Sequence, residues 1–176
     1  MVKRAVVCVL MVLAATGVCF SAAPAPKHTD AGRDYDKANG FSIVPPDGWK
    51  KATPPQGIFM MYMAPEVKDG FTTNMNVNVQ PPGDSLDRAL PAVKKALAAA
   101  LQDYKAVDEG KVTINGRPAV YLSGTFTAGG LKLQNLQYMM VGDNKKAYTI
   151  TFTSLEAGFA AARPTFAKCA MTALTD

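Results

Sequence analysis

Residues 73–80 read TNMNVNVQ, an unbroken alternation in which Met75, Val77 and Val79 take every second position and Asn74, Asn76, Asn78 and Gln80 take the others. Successive side chains on a β-strand point to opposite faces, so the stretch predicts a strand with one dry face and one amide-rich face. The same two-faced pattern returns at residues 147–153, where Tyr148, Ile150 and Phe152 share one side and Thr149, Thr151 and Thr153 the other. Ser123 and Thr125 offer further hydroxyls from a third predicted strand. Placed side by side, these strands would line one surface with amides and hydroxyls. Two readings of that surface stay open: a solvated or partly covered sheet face, and a concave polar floor that hydrogen-bonds a ligand or a partner peptide.

Outward from that strand, the chain punctuates itself with proline and glycine. Residues 41–44 make a short strand that Pro45 and Pro46 end by removing two backbone donors, and Asp47-Gly48 then turns the chain back over Trp49. Residues 57–64, GIFMMYMA, are apolar on both faces and bounded by Pro54, Pro55 and Pro65, which predicts a short strand covered on both sides. After residues 81–83, Leu86, Leu90, Val93, Leu97, Leu101 and Tyr104 recur at steps of three and four, an amphipathic helix capped by Asp84 or Ser85. Pro91 should kink its first turn or delay its start.

The second half reads as a meander. Residues 111–114 pair with 119–126 across Asn115-Gly116, a dipeptide suited to the left-handed positions of a tight hairpin turn. Residues 128–130 and 142–144 supply the next two turns, flanking strands at 131–141 and 147–153. Thr153-x-x-Glu156 has the form of a capping box opening a last helix, with Phe159, Phe166, Ala170 and Leu174 as its buried stripe and Pro164 resetting its start. Strands, helix, strands, helix, with hairpin connections throughout, predict an α+β domain: an antiparallel β-sheet sandwiched by helices.

The chain has 176 residues, 48% of them hydrophobic, which suits one domain with one core. Residues 1–21 carry a basic start at Lys3 and Arg4, an apolar run and small residues at Ser21, Ala22 and Ala23, the pattern of a secretory signal peptide. The apolar run is shorter than the roughly 20 residues that span a bilayer, so no stable membrane span is expected once the signal is removed. Lipid attachment at Cys19 is the rival reading, disfavoured by Val18 where such sites carry a small residue. Residues 22–39 read as a flexible tether, and residues 40–176 as the domain. The address is therefore periplasmic or secreted. Loss of Lys3 and Arg4 lowers the formal charge from +5 by two, to +3, and no cluster of Lys and Arg interleaves with aromatics, which argues against nucleic acid. Cys8 and Cys19 lie in the leader, leaving Cys169 alone without a disulfide partner.

The order of elements resembles the PsbP-like family. The carriers are GFSI at residues 40–43 followed by Pro46-Asp47-Gly48-Trp49, the mid-chain helix, and the VTINGRPA hairpin at 112–119. QYMMVGDNKKAYTITFTS at 137–154 and Arg163-Pro164-Thr165-Phe166 in the closing helix complete the series. The resemblance implies a DcrB/PsbP-type exported domain, an α/β/α sandwich, and a non-catalytic accessory or binding role.

The chemistry-bearing residues point the same way. His28 is the only histidine and sits in the tether, so no metal site is read. Cys169 lies on the buried stripe with no histidine base. Asp108 and Glu109 read as solvated carboxylates in a turn, and neither a phosphate-binding glycine loop nor a nucleophile elbow occurs. No catalytic residue and no cofactor is assigned, and no enzyme is expected. The ligand-binding candidates are Asn74, Asn76, Asn78, Gln80, Thr149, Thr151 and Trp49, the indole being either an end-plug of the core or a ring at a cleft. The leading function is a cell-envelope binding module acting through a protein partner. The alternative is a small-ligand or lipid carrier using the polar face or a cleft lined by methionines such as Met60, Met61, Met63, Met139 and Met140.

Overall fold

The computed structural model describes residues 32–80 and 85–176. The expected signal peptide, Cys19, His28, Asp84 and residues 22–31 of the expected tether lie outside the described residues. In chain order the elements are β1 (Asp34–Asp36), β2 (Phe41–Ile43), β3 (Lys50–Lys51), β4 (Met60–Lys68), β5 (Phe71–Gln80), α1 (Leu86–Ala100), β6 (Gln102–Ile114), β7 (Arg117–Ala128), β8 (Leu131–Val141), β9 (Ala147–Leu155), α2 (Glu156–Ala170) and β10 (Leu174–Thr175). Seven strands form an antiparallel sheet in the order β3-β4-β5-β9-β8-β7-β6, and β1-β2-β10 form a small annex. The fold is α+β, as the alternation and the two helical stripes predict.

Turn chemistry explains the hairpins. Asn115 and Gly116 adopt φ of 47° and 78°, the left-handed pair expected of a tight two-residue turn between β6 and β7. Asp69-Gly70, at 48° and 78°, does the same between β4 and β5. That turn lets β4 run on to Lys68, past Pro65, which the sequence reading took as its end. Pro65 is accommodated because the β4–β5 register shifts between Met63 and Val67, so the missing N–H falls at an irregularity in the ladder.

The two faces of the large sheet carry two cores. On one, Met75, Val77, Tyr148, Ile150, Phe152, Leu136 and Met140 pack against Phe159, Phe166, Cys169 and Ala170 of α2. Phe152 stacks on Phe166 with centroids 4.8 Å apart. On the other, Val120, Leu122 and Met139 meet Val93 and Leu97 of α1, with Leu86, Leu90, Leu101 and Tyr104 around them. Helices thus cover opposite faces, which is the sandwich.

Several local expectations are corrected. The 41–43 strand does not join the large sheet; β2 pairs with β1 and β10 in the annex, and Phe41 stacks on Tyr148 at 5.3 Å to fix the annex on the core. Asp34–Asp36, assigned to the tether, form β1, because the Asp34 carboxylate accepts the Tyr62 hydroxyl at 2.5 Å and pairs with Lys51 at 2.6 Å. Pro91 and Pro164 sit inside continuous helices, exposed on their outer faces, where each removes one backbone bond without facing the core. The capping box does not form: Thr153 remains in β9 opposite Asn74 and Asn135, and Leu155 is the N-cap of α2. Leu174 leaves the last helix for β10. Tyr104 leaves the helical stripe for β6, since the chain turns extended at Leu101 and bulges around Asp103, at φ 56°.

Candidate functional site

Residues directly opposite each other in a ladder share a face, so the register of β5, β9 and β8 builds the polar surface rung by rung. Asn78 lies opposite Thr149, which lies opposite Met139. Asn76, Thr151 and Gln137 form the next rung, and Asn74, Thr153 and Asn135 the third. Gln80 continues β5 opposite Ala147. The amides and threonines singled out in the sequence therefore sit on one face, shared with α1. That helix packs chiefly over β6 and β7, so it walls the floor on one side. Met61 and Met63 of β4, opposite Asn76 and Asn74, flank it on the other.

Burial deepens along the floor. Asn78, Gln80 and Thr149 are half-buried; Asn76, Thr151, Gln137, Asn74 and Thr153 are buried; Asn135 is 0% exposed. The Asn135 Oδ1 accepts the Gly124 N–H at 3.1 Å, which fixes the amide's orientation, and its Nδ2 has no partner among the described residues. Tyr104 lies on Gly124 so closely that a Cβ there would stand 2.5 Å from its hydroxyl oxygen, and that hydroxyl also has no partner among the described residues. Burial, with a smaller contribution from Glu109, pushes the Tyr104 phenol up to about 12, so it stays a neutral donor and acceptor. At the other end the Asn78 Oδ1 is buried and unpartnered among the described residues. Each such group left unsatisfied costs about 1–3 kcal/mol, which favours anything that supplies the missing bond.

The remaining candidates fall elsewhere. Ser123 and Thr125 lie opposite Leu136 and Gln134, on the α2 face, so they do not join the floor; Ser123 Oγ donates to the Asn135 carbonyl at 2.8 Å instead. Trp49 is half-buried and meets Phe166 edge-on at 6.3 Å, on the α2 side of the sheet and away from the amides. The methionines split: Met60, Met75 and Met140 are core under α2, while Met61, Met63 and Met139 edge the polar floor. Cys169 is buried, with Sγ 3.2 Å from the Val44 carbonyl and 3.6 Å from Met75 Sδ, and burial pushes its thiol up to about 12. A thiol held protonated is a poor nucleophile.

Asp108 and Glu109 are in β6, not a turn. Asp108 accepts Arg163 of α2 and, at 3.3 Å, the Tyr121 hydroxyl. Glu109 points the other way to Lys94 of α1 at 2.7 Å. Adjacent carboxylates thus moor opposite helices. Asn135 and Gln137 are floor residues that the sequence reading missed. Their signal was present, since Leu133, Asn135, Gln137 and Met139 alternate with the α2-facing set, but the run KLQNLQYMMV has apolar residues on both faces.

A search of the curated proteins returns no match. Among solved structures, the chain is similar to cyanobacterial PsbP (CyanoP) from Synechocystis sp. PCC 6803, at 13% identity and a TM-score of 0.63 over 87% of this chain and 98% of that one. It is also similar to LpqN, involved in cell envelope biogenesis of Mycobacterium tuberculosis, at 12% identity and a TM-score of 0.60 over 85% and 88%. A third likeness is to the Ran-binding protein Mog1p of Saccharomyces cerevisiae, at 13% identity and 0.59 over 81% and 94%. At such identities the likeness shows the PsbP-like fold alone. The DcrB family model matches residues 42–172, from β2 to the end of α2, and the chain belongs to the DcrB family.

Proposed function

We propose that this protein is an exported, non-enzymatic accessory module of the cell envelope that binds protein partners through the half-buried end of the polar face, where Asn78, Gln80 and Thr149 stand. The observation that carries the reading is the three-rung array, amides and hydroxyls at every position but Met139, uncharged throughout and with buried hydrogen-bonding groups unpartnered among the described residues at two of its rungs. Such an array recognises; it does not by itself move protons at neutral pH or attack bonds. The envelope address rests on the signal-peptide pattern of residues 1–21, and the envelope role of LpqN is in keeping with it.

The test is affinity capture from envelope fractions with the wild-type protein and with Asn78→Arg, which places a charge on the half-buried end of the floor. Reproducible partners captured by the wild type and lost by the variant are expected. Capture unchanged by the variant would remove the floor from the reading. The carrier alternative draws on Met61, Met63 and Met139 beside the amides; it requires a small molecule that co-purifies in native mass spectrometry and is absent from Asn78→Arg.

A further inference from the structure

We infer that the outer edge of β6 takes up an extended segment of a partner protein as an added antiparallel strand, carrying an apolar, an acidic and a basic side chain at alternate positions. This edge is separate from the Asn78 end of the polar face, with β9, β8 and β7 lying between β5 and β6. β6 is paired on one side only, and its ladder to β7 runs without a shift from Asp108 to Ile114. In the tight hairpin at Asn115-Gly116 the flanking pair Ile114–Arg117 exchanges the backbone bonds, so the alternation of an antiparallel ladder turns the N–H and C=O of Thr113, Lys111 and Glu109 outward. Pro118, with no N–H to give, lies opposite Thr113, in keeping with that phase. Outward backbone groups on a straight edge are a template for a further strand. α1 lies along this margin, joined to it by Lys94–Glu109 at 2.7 Å and Lys111–Asp87 at 2.8 Å. Between its first turn and the β6–β7 hairpin opens a cavity of about 330 Å³, lined by Leu86, Asp87, Lys111, Thr113, Pro118 and Val120. An edge strand, a helix beside it and a cleft between them give a segment both backbone partners and a pocket for a side chain.

The same residues set the chemistry of the segment. Glu109, Lys111 and Thr113 share the α1 face, so segment residues opposite them face that side too. An antiparallel segment meets Thr113 first, beside Leu86, Pro118 and Val120, where an apolar side chain fills the cavity. Opposite Lys111 it answers with a carboxylate, and opposite Glu109 with a cation. The pair that Lys111 makes with Asp87 is 77% and 69% exposed, so it holds the ammonium weakly and leaves it able to meet a partner. On the other face the Tyr121 ring lies on Gly110, and Arg163 donates to Asp108, so small residues suffice at the intervening positions.

The test uses isotope-labelled protein purified from expression of the full chain and the peptide acetyl-Thr-Val-Thr-Glu-Thr-Lys-Thr-amide. Backbone amide exchange by NMR is the readout. With nine-tenths of the sites filled, exchange at Glu109, Lys111 and Thr113 should slow about tenfold, since it then passes through the free tenth, while Gly110 and Val112, already bonded to β7, stay as they were. Exchanging the Glu and Lys of the peptide should weaken binding about tenfold. Lys111→Glu should weaken the original peptide by as much, and a peptide with Lys in place of its Glu should regain the loss, which a misfolded variant could not show. Asn78→Arg should leave peptide binding unchanged. Four results would overturn the inference: the three amides exchange as before, or the exchanged peptide binds equally. The third is protection that appears without peptide and grows with protein concentration, which gives the edge to a second copy; the fourth is loss of binding in Asn78→Arg, which moves the peptide to the polar face.

Discussion

Arg117, at the start of β7, grips Asp143 of the β8–β9 turn with its two terminal nitrogens, Nη1 and Nη2, and Nη2 also donates to the Thr175 carbonyl of β10 at 3.2 Å. One buried cation thereby joins the large sheet to the annex. Asp143→Asn keeps the shape but removes the charge, and should cost about 1.5–3 kcal/mol, the range for hydrogen bonds to charged groups. Urea denaturation at pH 7 measures it.

The same pair gives a pH dependence of defined sign. The hydrogen bond from Arg117 holds the Asp143 carboxyl below the usual carboxylate range. Its contribution is therefore fully present above the unfolded value of about 4 and is lost as pH falls towards the folded value. Asp34 acts with the same sign: burial pushes its carboxyl up, and hydrogen bonds from Lys51 and Tyr62 pull it further down. The urea midpoint should fall below about pH 4, and Asp143→Asn should flatten that fall.

Gly124 should resist even a methyl group. A Cβ there would overlap the Tyr104 ring, so Gly124→Ala should cost about 1–3 kcal/mol by overpacking. Tyr104→Ala should cancel much of that penalty in a double-mutant cycle. Additive losses would mean the ring does not sit on Gly124.

Phe166 joins three rings, with Phe152 at 4.8 Å, Phe159 at 6.0 Å and Trp49 at 6.3 Å. Phe166→Ala should cost about 3–5 kcal/mol and shift Trp49 emission to the red. An unmoved emission maximum would place the indole outside this cluster.

The floor should trade stability against binding. Asn78→Leu combined with Thr149→Val replaces two half-buried polar groups that face each other across β5 and β9 by apolar ones and removes the unpartnered Asn78 Oδ1, and should leave stability within about 1 kcal/mol or raise it. Calorimetry should show a melting temperature held or raised, and affinity capture should show partner loss. A large fall in melting temperature would make the pair structural.

The strands of the second half were legible because local rules decide them. Asn115-Gly116 fixes its hairpin by backbone conformation alone, and the alternation of residues 73–80 and 147–153 reports its own two faces. What stayed hidden depends on partners distant in sequence. Nothing near Phe41 says that its strand pairs with residues 174–175 and not with the large sheet. Nothing near Asp108 names Arg163. The floor was half legible: β5 and β9 declare their polar faces, while assigning Ser123 to the wrong face and missing Asn135 both follow from parity in β7 and β8, which only the register settles.

The rim of the large sheet limits how anything can approach it. At one margin stands β3, two residues long; at the other, β6 slips register between Gln102 and Lys105 and again between Ala106 and Asp108, amid alternating charges. Breaks and charges of this kind are what keep sheets from stacking margin to margin into fibrils. A visitor that extends by lengthening the sheet meets two residues at β3 and, at β6, one straight run from Asp108 to Ile114 whose first half carries Asp108, Glu109 and Lys111, so that edge admits only a strand that answers those charges and a second copy of the same edge is turned away.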